Sequence, residues 1–229
     1  MNKPTTQERC DGGRSLAFRD MKDMNSGWRS VLSLARQSKL AKGDYVPEKG
    51  LLFLDRGKVS LTVQNQDGAE KILWYISEGC LFGEAPFFDP VPPGGDEGAY
   101  VCVTGCVVYT FSKQAVDRIS KERPDLLINL FHSMARKMRV ANYHASSLYL
   151  DDGLARVCKF LSHRLVPGSR PLTAKIGISR QEMASLIGMH RISLYRVLRQ
   201  QEEEGLFGAI KGNTITILRP HEFYELAAK

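Results

Sequence analysis

Histidine is scarce in this chain, and the five copies, His132, His144, His163, His190 and His221, all lie in its later part. A metal-dependent oxygenase or isomerase built on a small barrel needs two or three imidazoles and a carboxylate converging inside it. No imidazole precedes His132, so the chain is not read as an enzyme. Long apolar runs are also missing, since none approaches the roughly 20 residues of a membrane helix. The longest uncharged stretch, residues 98–112, is rich in Val, Tyr and Thr, is broken by Gly105, and reads as paired strands. Residues 1–27 carry charges throughout and lack an apolar centre followed by small residues, which argues against a secretory signal and for a cytoplasmic protein. Cysteine is sparse and scattered: Cys10, Cys80, Cys102, Cys106 and Cys158 form no CxxC pair, which fits reduced thiols better than a disulfide framework.

What remains is a chain of 229 residues, 43% hydrophobic and 25% charged, long enough for two modest domains or one large one with a core. Its net charge of +7 is compatible with an anionic partner. The excess is denser in residues 151–229, which hold 12 basic and 8 acidic side chains.

The polar residues 1–27 have no sustained periodicity and read as an N-terminal arm. Trp28, Val31, Leu32 and Ala35 then fall on one helical face and predict a helix over residues 28–40. From residue 51 the texture changes to short β-rich runs, at 51–54, 58–63, 71–76, 100–104 and 106–111, punctuated by turn residues. Close, even spacing of this kind argues for an antiparallel β-roll. Segment 89–98, with three prolines and three glycines, either covers a pocket or simply connects strands.

Residues 125–150 run without Gly or Pro and carry a heptad seam at Leu127, Phe131, Met134, Met138, Ala141, Ala145 and Leu148. Such a seam packs either on its own sheet or on a copy of itself. At about 36 Å the helix overhangs a small barrel, which favours a parallel homodimer. A further helix around Leu154, Val157, Cys158 and Leu161 runs toward Pro167-Gly168. Ser179-Arg180-Gln181-Glu182 then has the form of a capping box opening a short helix that stops near Gly188. A second helix follows from about His190 to Glu204, and residues 206–210 and 214–218 read as a hairpin around Lys211.

Helix, glycine turn, helix and hairpin is the layout of a winged helix-turn-helix. On the second helix Leu194, Val197, Leu198 and Gln201 share one side, while Arg191, Ile192, Tyr195, Arg196 and Arg199 share the other. Exposed arginines are ordinarily just solvated, but these occupy the part of the helix that enters a major groove. Arginine pairs bidentately with guanine, and Ile192 suits a thymine methyl. We therefore expect Arg191, Ile192, Ser193 and Arg196 at base edges of double-stranded DNA, Arg180 and Gln181 at phosphates with Ser179 capping their helix, Arg199 and Lys211 at the backbone, and His190 within the same DNA-binding set. A sensor module acting on a protein partner without DNA would leave these cations unexplained.

These stretches resemble the CRP/FNR superfamily of bacterial transcription regulators. Residues 78–84 (Glu-Gly-Cys-Leu-Phe-Gly-Glu) look like its effector loop, and Arg123-Pro-Asp-Leu-Leu with Met134-Ala-Arg-Lys-Met138 looks like its dimerisation helix. Ser179-Arg-Gln-Glu-Met-Ala and Ile187-Gly-Met-His-Arg-Ile-Ser-Leu-Tyr-Arg196 look like its DNA-reading element. The resemblance implies an α+β protein comprising an arm (1–27), a β-roll sensor (28–123), a dimerisation helix (124–150) and a winged helix-turn-helix domain (151–229). It also implies a homodimer on a near-palindromic site, a small-molecule effector and RNA polymerase as a partner.

Departures from the family pattern bear on what is sensed. Cyclic AMP binders follow the Gly-Glu loop with an Arg-Ser pair that holds the phosphate, whereas this chain has Glu97-Gly98 after Asp96, and Ala141-Asn142 replaces the Thr-Ser that meets adenine. Iron-sulfur members carry an N-terminal cysteine cluster, and here the arm has Cys10 alone. Both effectors are therefore disfavoured. Haem-based gas (NO or CO) sensing through Met or Cys ligands stays open, while His132 and His144 read as polar-face residues. The thiols read as buried and inert, with Cys10 either a free thiol or half of a redox pair. The recognition segment looks most like those of anaerobic regulators of small organic or nitrogen-oxide signals, halorespiration regulators included. On that reading the effector sits among Tyr75, Phe82, Gly83, Glu84, Asn142 and Tyr143.

Overall fold

The computed structural model describes residues 21–47, 50–64, 70–90 and 98–229. The chain divides into two compact units, one ending at Ala141 and the other comprising Asn142–Lys229.

The first unit is a roll of two antiparallel sheets. Strands β1 (Arg36–Leu40), β2 (Leu51–Arg56), β5 (Cys80–Phe82) and β7 (Cys106–Phe111) form one sheet in the order β1-β7-β2-β5. The other has the order β4-β3-β6, from β3 (Lys58–Gln64), β4 (Glu70–Ser77) and β6 (Ala99–Cys102). Leu51, Leu52, Phe53 and Leu54 are all buried, so β2 has both faces covered and a continuous apolar run rather than an alternating one. Helices α1 (Glu84–Phe88), α2 (Lys113–Glu122) and α3 (Pro124–Leu150) follow. Ser112 caps α2 by accepting the Ala115 amide. Trp28 packs edge-on against Phe111, ring centroids 5.3 Å apart, within a cluster containing Leu51, Phe53, Leu81, Val116, Ile119, Leu126 and Leu130. Burying each such side chain stabilises the fold by about 1.5–3 kcal/mol.

Three expectations for this unit change. The helix over residues 28–40 is a 3-10 helix at Ser26–Leu34, after which Ala35 turns extended and Arg36–Leu40 pairs with β7, Arg36 opposite Thr110 and Leu40 opposite Cys106. The edge of β7 supplies hydrogen bonds that helical periodicity cannot reveal. Residues 21–27 do not behave as an arm. Met21 exchanges backbone bonds with Tyr75 and Ser77, and the buried Asn25 side chain accepts the Leu81 amide and donates to Asn129. Most of the expected arm, with Cys10, lies outside the described residues, as does most of segment 89–98. Finally, β6 and β7 do not pair with each other: β6 pairs with β3, and β7 with β1 and β2.

Helix α3 carries two stripes of the same 4-3 spacing, one residue apart. Leu126, Leu130, Ser133, Lys137, Val140, His144 and Ser147 are buried. The heptad seam beside them is open: Phe131 is 58% and Met138 62% exposed, Ala141, Ala145 and Leu148 are exposed, and only Leu127 and Met134 pack partly on the core. His144 thus belongs to the buried stripe, correcting the polar-face assignment.

The second unit contains α4 (Gly153–Ser162), β8 (Thr173–Lys175), α5 (Arg180–Ile187), α6 (Arg191–Glu203), β9 (Thr214–Thr216) and α7 (Pro220–Ala228). Asp152 caps α4 through the Ala155 amide, while Asp151 accepts from Ser147 and Lys159, both at 2.6 Å, at the α3–α4 junction. Helix α4 stops at Ser162, short of Pro167-Gly168. The expected hairpin is reduced to single bridges, Phe207 with Ile217 and Lys211 with Thr214, because β9 forms its ladder with β8. No helix among the described residues is long and apolar enough to cross a membrane.

Candidate DNA-reading element and effector loop

The capping box at Ser179 forms as read. Ser179 Oγ accepts the Glu182 amide at 3.1 Å and Glu182 Oε2 accepts the Ser179 amide at 2.9 Å. Such a cap is worth about 1 kcal/mol and sets the start of α5. Gly188 ends α5 in the left-handed conformation (φ 65°, ψ 48°), where a side chain would be strained. Arg156, on α4, locks this turn from outside: its Nη1 donates to the carbonyls of Ile187 at 3.0 Å and Gly188 at 2.8 Å. A guanidinium at a helix C-terminus satisfies orphan carbonyls and meets the negative end of the dipole. Arg156 was not read from the sequence, because its partners stand on a different helix, beyond the reach of any local pattern.

Helix α6 sits in this frame with Leu194, Leu198 and Gln201 buried. Its opposite side is open. His190, Arg191, Ile192, Tyr195, Arg196 and Arg199 are exposed, Ile192 to 73%, and Ser193 is half-buried. An isoleucine that open on a folded domain has no packing role. Arg180 lies 6.0 Å from the Tyr195 ring, so one aromatic joins the two helices, and Gln181 is exposed beside it. Arg199 is paired with Glu203 at 3.0 Å, which leaves Arg191 and Arg196 the less committed cations of the face. Lys211 is exposed in the turn before β9, beside Gly212 at φ 60°.

In the roll, Phe82 packs edge-on against Tyr100 (5.1 Å), whose hydroxyl accepts the Gly83 amide at 3.3 Å. Glu84 is 6% exposed and bonds to the equally buried Lys137 of α3, whose Nζ also donates to the Leu81 carbonyl at 2.7 Å. Phe82, Gly83 and Glu84 are thus brought together with Tyr100 and Lys137, two residues the sequence reading missed. Lys137 was legible in principle as the one lysine in the buried stripe of α3. Tyr75 is buried on β4, with Lys58 Nζ 4.1 Å from its ring. Asn142 and Tyr143 belong to the second unit, where Asn142 is exposed and Tyr143 faces Lys159 at 5.9 Å. No lysine or arginine occurs between Lys71 and Lys113, and Lys137 is the cation that reaches Glu84. Among the described residues no group of three or more His, Cys, Asp or Glu converges to hold a metal ion.

Two family models match the chain, a cyclic nucleotide-binding domain over residues 33–123 and a Crp-like helix-turn-helix domain over residues 155–226. The chain belongs to the CRP/FNR family of transcription regulators. Among curated relatives, the cAMP-activated global transcriptional regulator CRP of Pasteurella multocida is 29% identical over 171 residues, 73% of this chain and 80% of that protein. The cAMP-activated global transcriptional regulator Vfr of Pseudomonas aeruginosa is 28% identical over the same length, 73% of this chain and 79% of Vfr. Solved structures share the fold. CprK complexed with OCPA superposes with a TM-score of 0.71 at 18% identity, covering 90% of this chain and 97% of CprK. The c-di-GMP responsive regulator CLP of Xanthomonas campestris gives 0.70 at 22% identity, covering 84% and 99%. As a CRP/FNR regulator the chain combines a cyclic nucleotide-binding-like roll with a helix-turn-helix that binds DNA.

Proposed function

We propose that this CRP/FNR regulator is a homodimer that reads a near-palindromic operator with α6 under control of a small effector other than cyclic AMP, and that it acts on RNA polymerase. The observation that carries the DNA-reading part is the open face of α6, where Arg191, Ile192, Tyr195 and Arg196 stand on a helix held by the Ser179 cap and the Arg156-locked turn. Arg191, Ile192, Ser193 and Arg196 meet base edges, with His190 at the helix start. Arg180 and Gln181 meet phosphates at the start of α5, which Ser179 caps, and Arg199 and Lys211 meet the DNA backbone, contacts that fix register without carrying sequence information. The open seam on α3 supports dimerisation, because Phe131 and Met138 stay exposed among the described residues.

The effector reading rests on Glu84. A cyclic phosphate needs a cation in the loop after Glu84, and residues 72–112 contain none. The buried Glu84–Lys137 pair leaves this carboxylate committed to a protein cation. Phe82, Gly83 and Glu84, with Tyr75, are the roll residues we assign to the effector.

Selection from a random pool of DNA duplexes tests the DNA-reading part. The expected product is an inverted repeat with half-sites about 10–10.5 base pairs apart, bound with an affinity that falls steeply with salt. No enrichment and no salt-dependent binding would refute it. For the effector, calorimetric titration with cyclic AMP is expected to show no saturable heat, and micromolar binding would overturn that part alone.

A further inference from the structure

Helix α3 runs unbroken over Pro124–Leu150. At about 100° per residue, its buried stripe of Leu130, Ser133, Lys137, Val140, His144 and Ser147 faces away from the line of Ile128, Ala135, Asn142 and Tyr149. All four of these are exposed, Tyr149 to 90%. One flank of the line carries the exposed Phe131, Met138 and Ala145, the other the exposed His132, Arg139 and Ser146. The open apolar band is thus the line together with its first flank, and their residues alternate at the 3-4 spacing of a and d positions. This band shares Phe131, Met138 and Ala145 with the seam expected from the sequence. Ile128 and Ala135 replace Leu127 and Met134, which already pack in part on the core of the roll.

We infer, on the homodimer reading above, that α3 pairs in parallel with α3 of a second copy along this shifted band, and that Asn142 meets the partner's Asn142 across the two-fold axis. In a two-fold pairing of parallel helices each a residue faces its own copy. A carboxamide carries both a donor and an acceptor, so it is its own complement: each NH2 group donates to the other carbonyl. No residue of the band is charged, so no like charges meet along it. A slip of one heptad would set Asn142 against Ala135 or Tyr149, and an apolar partner helix would leave the amide unsatisfied. A single asparagine at an a position thereby fixes register and a two-stranded state, at some cost in affinity. This role takes Asn142 out of the effector residues expected from the sequence.

Cross-linking of the full chain in a Cys10→Ser background tests the register, since Cys80, Cys102, Cys106 and Cys158 are buried. Under mild oxidation Asn142→Cys is expected to give a covalent dimer on a non-reducing gel, because a parallel two-fold brings its two sulfurs together. Ala141→Cys, turned toward the flank, should give little. A dimer by sedimentation in which Ala141→Cys cross-links as fast as Asn142→Cys, or in which neither cross-links, would overturn the register and leave the homodimer reading standing. A monomer by sedimentation of the unsubstituted chain would refute that reading and the register with it.

Two further variants read the asparagine itself, and its exposure within the chain means that neither disturbs the fold of the protomer. Asn142→Leu should lower the dimer dissociation constant by about tenfold or more, because a polar pair leaves the seam. Asn142→Asp should raise it at neutral pH by setting two carboxylates face to face. An unchanged dissociation constant in both variants would overturn the pairing of Asn142.

Discussion

Lys137 Nζ and Glu84 Oε1 are 2.5 Å apart and almost wholly shielded from solvent, joining the long helix to the short helix that follows Gly83. Removing one member leaves the other as an uncompensated buried charge, which costs about 3–5 kcal/mol, whereas replacing both by uncharged groups of similar volume is close to neutral. Lys137→Met alone should therefore lower the urea midpoint sharply, and Lys137→Met with Glu84→Gln should recover most of it. Equal losses in the single and double variants would show that the pair is not coupled.

Arg196→Ala is expected to cost about 1–3 kcal/mol on the selected operator and to relax the preference at one base pair. Lys211→Ala should instead weaken specific and random duplexes alike and reduce the salt slope by about 1. Fluorescence anisotropy across a salt series separates the two. Equal losses on both kinds of DNA for Arg196→Ala would remove its base-reading role.

Arg156→Met removes both hydrogen bonds that close the α5–α6 turn. Bonds from a charged donor contribute about 1.5–3 kcal/mol, so the helix-turn-helix unit should melt earlier. Below that melting point operator affinity should also fall, because α6 is presented at a less defined angle. Unchanged affinity with reduced stability would confine Arg156 to a stability role.

Phe131→Glu and Met138→Glu place charge on the open seam of α3 without touching the buried stripe beside it. Sedimentation should show monomers, with chemical unfolding of the roll little altered. A dimer that survives both substitutions would move the interface elsewhere.

Cys158 is fully buried, and burial, with smaller contributions from Asp152 and Glu222, pushes its thiol up to about 12 from 9.0. The unfolded chain therefore loses this proton first as pH rises. The stability this group contributes is complete below pH 9.0 and is lost between there and about 12. Cys158→Ala should flatten that alkaline decline in urea midpoints measured from pH 8 to 11, and an identical slope in the variant would contradict the shift.

Much of the DNA-reading element was written locally in the chain. Ser179 and Glu182 are three residues apart, Gly188 needs only its own backbone freedom, and the burial of Leu194, Leu198 and Gln201 follows from helical periodicity. The heptad seam of α3 was legible for the same reason, as were β2, β3, β4 and β7 from their β-rich runs between turns. The case against a cyclic phosphate likewise rests on local composition, since residues 72–112 hold no cation.

Only the tertiary structure decided the rest, because the partners are distant in the chain. Arg36–Leu40 became a strand where β7, the last strand of the roll, offered an unpaired edge, overriding a helical pattern. The hairpin after α6 lost its ladder to β8, which precedes the helix-turn-helix. Asn25 found Asn129, Glu84 found Lys137 and Arg156 found the end of α5, and in each case a buried polar group had to be satisfied by whatever the fold brought within reach. Periodicity assigns a residue to a face, and the packing of elements far apart in sequence determines which group that face meets.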